Sequence, residues 1–107
     1  MATPEPLEIY RARVTLGRCR DVGPVVLCAG EKDGWVKAAP LSAALDLYRP
    51  GAHFLLRPDE PDFKATGLQR TCYVNGDEVH DLAVSGLLKR LGRLEGDLAT
   101  AFQEWAG

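Results

Sequence analysis

Residues 82–107, LAVSGLLKRLGRLEGDLATAFQEWAG, admit two readings, and the choice between them sets the fold class. Leu87, Leu91, Leu94 and Leu98 recur at helical spacing and suggest a single long helix. Gly86, Gly92 and Gly96 oppose it, because each glycine costs about 1 kcal/mol inside a helix. The better reading is a short turn, a strand around KRLGRL, and a terminal helix opening near Asp97 as its N-cap. Leu98, Ala101, Phe102 and Trp105 then form the apolar stripe of that helix. Trp105 so near the end implies that the terminus docks on the body of the protein.

Working back along the chain, the pattern is one of short strands. YVNGDEVHD, residues 73–81, reads either as an Asn-Gly type I′ hairpin with exposed acids or as one bulged strand. LQRTCYV before it is rich in β-branched and aromatic residues, and PDEPDFKATG is a proline-marked loop. AHFLLR is a strand. PLSAALDLY is either one or two helical turns or an irregular loop carrying Ser42. WVKAA, with Trp35 as a core anchor, pairs through the hairpin loop GEKDG with PVVLCA, which Pro24 opens. GRCRDVG reads as a short turn-like link, and LEIYRARVTL as an alternating strand. MATPEP is a flexible lead-in to a single domain spanning residues 1–107. The expected architecture is mainly β with a terminal helix: five or six strands in a small curled sheet or partly closed barrel.

The 107 residues, 46% of them hydrophobic, suit one domain with a modest core. No apolar run approaches the roughly 20 residues of a membrane helix, and the first residues lack the pattern of a secretion signal. Three cysteines without CxxC or Cys-His spacing argue against a zinc site and for a reducing, cytoplasmic setting. A net charge of −2 argues against bulk binding to duplex DNA. Yet Arg11, Arg13, Arg18 and Arg20 cluster, and alternation puts Arg11 and Arg13 on one strand face. They form either a solvated strand face or a phosphate-binding patch.

GPVVLCA, WVKAAPLSA, TGLQRTCYVNGDEVHDL and LGRLEGDL followed by a helix appear in an order that resembles the PemK/MazF toxins of bacterial toxin–antitoxin systems. The resemblance covers residues 20–106. It implies a small SH3-like barrel of five to seven strands with a C-terminal helix, a homodimer, and metal- and cofactor-free cleavage of single-stranded RNA. It also implies a cognate antitoxin as partner. Ser42 stands where the family has Thr or Ser after Pro-Leu, and Asp77 where it has the Asp of an Asp-Gln pair, with Glu78 in place of Gln. Pro24 matches the family proline, but Gly23 replaces the arginine before it, and the first loop is short.

The implied reaction is attack of a ribose 2′-hydroxyl on the adjacent phosphorus. Such a site needs a base, hydrogen-bond donors and a cation for the developing charge. Ser42, Asp77 and Arg20 are the catalytic candidates, and Arg18, Arg11 and Arg13 the substrate-binding ones. His53 and Cys28 read as structural, His80 as exposed or hydrogen-bonded. Cys19, among arginines, would have a lowered pKa if exposed. The competing expectation is a degenerate relative that keeps the barrel as an RNA- or protein-binding module.

Overall fold

A computed structural model describes residues 3–16, 19–76 and 78–106, with residues 14–16 and 19–21 in backbone only. It contains seven strands and one α-helix. The strands are β1 (Glu8–Leu16), β2 (Cys19–Leu27), β3 (Trp35–Ser42), β4 (His53–Leu56), β5 (Cys72–Asn75), β6 (His80–Ala83) and β7 (Leu87–Arg93), and α1 is Gly96–Ala106. They form one antiparallel sheet in the order β4-β5-β3-β2-β1-β7, with β6 also paired to β3. The sheet is curled but not closed, since β4 and β7 do not pair with one another.

The first hairpin is longer than the sequence suggests. Residues 19–23 of GRCRDVG are strand and not a link: β2 begins at Cys19 and pairs with β1 from Leu16↔Cys19 to Ile9↔Val26. Pro24 therefore sits in mid-strand, opposite Arg11, instead of opening the strand. A proline there is tolerated because β2 has lost β3 as a neighbour at that point. Their pairing stops at Val25↔Pro40.

The β2–β3 connection turns tightly at Asp33 and Gly34, both with positive φ, between the bridge partners Lys32 and Trp35. Trp35 is not a core anchor. It is 54% exposed at the hairpin end, and Val36 beside it takes the buried position. Along β3, burial moves from one face, Val36 and Ala38, to the other, Ala39 and Leu41. The small alanines mark the point where both faces are covered. One core holds Ile9, Val26, Leu41, Leu56, Phe63 and Phe102 among others; the second, smaller one centres on Ala12, Val25, Leu27 and Val36. Cys28 stands just past β2 and is exposed, contrary to the expected core thiol, whereas Cys72 is buried.

The described residues of the stretch 73–81 form no hairpin but the ends of two strands that run the same way. β5 and β6 both run antiparallel to β3, at Leu41↔Val74 and Ser42↔Tyr73 for β5 and at Ala38↔His80 for β6. Three extra residues are accommodated between the two registers, so the chain kinks without reversing. PLSAALDLY continues β3 through Ser42 and then makes one 3-10 turn, Leu45–Leu47.

KRLGRL lies in β7 as expected, and its glycine has a packing reason. A Cβ on Gly92 would fall 2.1 Å from the Ala65 carbonyl oxygen, so β7 can lie against the 3-10 turn Phe63–Thr66 only with glycine there. The helix opens one residue earlier than expected, and Asp97 does not cap it. Asp62, from the loop before β5, accepts a hydrogen bond from the Asp97 amide at 3.0 Å. Gly96, with φ +54°, leaves room for that carboxylate. Leu98 and Phe102 are buried, Ala101 faces out, and Trp105 donates its indole N–H to the Gly51 carbonyl at 2.9 Å. The terminus is docked.

Candidate functional site

The candidate site lies at the end of β3. Where β2 and β3 part, a cleft of about 370 Å³ opens, with Gly23 and Pro24 on one wall and Leu41 and Ala43 on the other. Arg11 and Arg70 also line it. Neither makes an ion pair among the described residues. Arg70 lies close enough to the buried Cys72 to act on it: burial pushes that thiol's pKa up, and the guanidinium opposes the rise.

Ser42 does not itself line this cleft; it stands between Leu41 and Ala43, which do. Its Oγ accepts a hydrogen bond from the Ala44 amide at 3.1 Å, which orients the oxygen and leaves the hydroxyl proton to donate outward. Cross-strand partners share a face. Ser42 therefore lies on the side of Tyr73, its partner on β5, and of Pro40, which pairs with Val25. Arg11 pairs with Pro24, one step out of phase with Val25, and so belongs to the opposite face. The same alternation puts Arg13 with Arg11. Both arginines are exposed.

On Ser42's side of the sheet lies a second, more polar cleft of about 570 Å³, lined by Tyr48, Arg49, His53, Tyr73 and Glu78 among others. The bulge between β5 and β6 thus reaches this face through Glu78. His80, which pairs with Ala38, follows the bulge with its Nε2 buried and 3.9 Å from the Glu78 carboxylate.

Of the residues singled out in the sequence, the structure places Ser42, Arg11 and Arg13. Arg20 is placed in backbone only, paired with Thr15 near the tip of the first hairpin. Arg18, Asp77 and the side chain of Cys19 lie outside the described residues. Arg70 was missed. LQRTCYV read as a strand aligns Arg70 with Cys72 and Val74, an arginine at the end of an apolar face, and that was the available signal. Among the described residues no cluster of His, Cys, Asp and Glu is arranged to hold a metal ion, and no helix is long and apolar enough to cross a membrane.

An antiparallel sheet of seven strands with one C-terminal helix is a MazF-like fold. No family model and no curated protein matches the sequence. Solved structures do match the fold over nearly its full length. An endoribonuclease in complex with its cognate antitoxin, from a mycobacterial species, superposes with a TM-score of 0.71 at 18% identity, over 96% of this chain and 90% of that one. A second mycobacterial endoribonuclease gives 0.71 at 17% identity, over 99% and 89%. The Mycobacterium tuberculosis toxin MazF-mt6 gives 0.68 at 19% identity, over 94% and 92%.

Proposed function

We propose that the protein is the toxin of a toxin–antitoxin pair, a metal-independent endoribonuclease that acts on single-stranded RNA in the cytoplasm as a homodimer and is held by a cognate antitoxin. The observation that carries this reading is the cleft between β2 and β3. Two guanidinium groups, Arg11 and Arg70, line it with no ion pair to either among the described residues, and the oriented hydroxyl of Ser42 stands between the lining residues Leu41 and Ala43, on the other face of the strand. The likeness of the whole fold to endoribonucleases supports it.

In the reaction the ribose 2′-oxygen bonds to the adjacent phosphorus and the bond to the 5′-oxygen breaks. A 2′,3′-cyclic phosphate and a free 5′-hydroxyl result. Asp77 takes the 2′ proton, and a proton delivered to the 5′-oxygen completes the step. Ser42 donates to a non-bridging oxygen. Arg70 meets the developing charge, a task for which the guanidinium fork of donors is suited, and Arg11, on the other face, holds a neighbouring phosphate. Arg20, Arg18 and Arg13 bind flanking phosphates.

The test is incubation of the purified protein with mixed-sequence single-stranded RNA in EDTA, alongside Ser42→Ala, Asp77→Ala, Arg70→Ala and Arg20→Ala. Cyclic-phosphate ends that disappear in the Ser42 and Asp77 variants support the reading. RNA bound but left intact at high protein excess overturns it in favour of a binding module.

A further inference from the structure

We infer that the polar cleft on Ser42's side of the sheet is a seat for one unstacked purine base of the RNA, with His53 and Tyr48 as its stacking platform. This rests on the RNA-directed reading above and adds a base-binding site to it.

Three aromatic rings meet there. His53 is stacked on Tyr73, with ring centroids 4.5 Å apart and planes inclined by 17°, and Tyr48 is tilted against both at 5.9–6.1 Å. Tyr73 is only 4% exposed and has no face to offer a ligand. His53 and Tyr48 are half-buried and line the cleft. A base laid on the imidazole extends the Tyr73–His53 stack by one ring.

The imidazole is held for this role. Its Nδ1 accepts the Arg49 backbone N–H at 2.9 Å, and an amide can only donate. The ring is therefore the tautomer with its proton on Nε2, fixed in orientation from one side by that bond and from the other by Tyr73. Tight packing would be enough to build a core, but this cluster borders an open, polar cleft of about 570 Å³, within the size range of small-molecule sites.

The rim chemistry suits a base edge and not a phosphate. Asp46 and Glu78 offer acceptors, which repel phosphate but accept from the exocyclic amine of a purine. Arg49 is a donor for ring nitrogens or carbonyls. The seat is also in the right place. Tyr73 pairs directly with Ser42, and opposed side chains in such a pair start about 4.5–5.5 Å apart. Phosphate contacts fall to the arginine cleft and base contacts to the aromatic one, with Ser42 at the strand end that adjoins both.

The experiment uses short 2′-O-methyl oligoribonucleotides, which lack the attacking hydroxyl and so report binding without cleavage. One position carries 2-aminopurine, whose emission falls on stacking. The parent protein quenches the probe on binding. His53→Ala and Tyr48→Ala each weaken affinity about five- to a hundredfold, the range of base–aromatic stacking, and abolish the quenching. His53→Phe keeps both, which shows that a planar ring is what matters. An oligonucleotide abasic at the probe position is insensitive to all three changes. Parent and variants that bind every oligonucleotide alike, with thermal unfolding unchanged, overturn the base seat and leave the nuclease reading standing. A parent protein that binds no oligonucleotide overturns both.

Discussion

Position 23 offers the sharpest perturbation of the proposed site. Continuing the β2–β3 register two residues past Val25↔Pro40 brings Gly23 opposite Ser42, across the gap where the strands separate. A Cβ built on Gly23 meets nothing within 4 Å, and the residue is not among those with positive φ. Gly23→Arg therefore introduces a guanidinium into open space next to the Ser42 hydroxyl without backbone strain. Glycine in a strand interior costs roughly 0.5–1 kcal/mol relative to alanine, so the variant folds at least as stably as the parent. One preorganised donor at a developing oxyanion typically changes rate by about 10²–10³. Cleavage of fluorescent single-stranded RNA in EDTA is expected to accelerate towards that range. Gly23→Ala controls for the backbone and should leave the rate unchanged, and Gly23→Lys, a point charge without the fork, should gain less than arginine. A Gly23→Arg protein that melts normally, binds RNA and cuts no faster would refute the placement of the reacting phosphate between β2 and β3.

Two further outcomes concern the scaffold. Asp62→Ala removes the carboxylate that receives the Asp97 amide at the start of α1, and should cost about 0.5–2 kcal/mol, seen as a lowered Tm; Asp62→Asn should recover most of it, and an unchanged Tm in the alanine variant would show that the helix is capped otherwise. Burial raises the Glu8 carboxyl pKa, but hydrogen bonds from Arg90, the Glu5 amide and Tyr10 outweigh that and hold it below the usual carboxylate value. A depressed folded-state pKa stabilises the fold above the unfolded value, and that contribution is lost as pH falls through the folded one. The Tm of the parent should therefore drop more steeply below about pH 4.5 than that of Glu8→Gln, and parallel curves would show that the Glu8–Arg90 pair is not coupled to folding.

How much the sequence reveals differs between scaffold and site. Local pattern was enough to separate β7 from α1, because glycine at 92 and 96 is incompatible with one helix whatever the leucine spacing. It also located the helix end that docks. It did not reveal that the helix N-terminus is capped by Asp62, since that bond spans 35 residues and has no local signature. Trp35 illustrates the same limit: a large aromatic at a strand start is assigned to the core by composition, but at a hairpin tip the alternation places Val36 inside instead. Among candidate site residues, Ser42 is singled out in the sequence by its Pro-Leu context. Arg70 was not, because its place depends on how far β2 and β3 separate. The role of His53 depends on Tyr48 and Tyr73, one of which lies 20 residues away on a different strand.

That separation has an identifiable cause. Pro24 and Pro40 are neither able to donate a backbone hydrogen bond, and they sit at adjacent rungs of the β2–β3 ladder, Pro40 in its last pair and Pro24 one position further on. A ladder that runs out of donors on both strands at once has nothing to hold it, and the strands part. The cleft lined by Gly23, Pro24, Leu41 and Ala43 is the direct result. On the far side of β3 the three-residue bulge before His80 prevents β5 and β6 from covering β3 evenly, and Glu78 projects into the second cleft from there. Two local interruptions of pairing, one from missing amides and one from extra residues, thus isolate the same few residues at the end of β3. Ser42, the last residue of β3, adjoins both: its chain neighbours Leu41 and Ala43 line the cationic cleft, and its cross-strand partner Tyr73 lines the aromatic one.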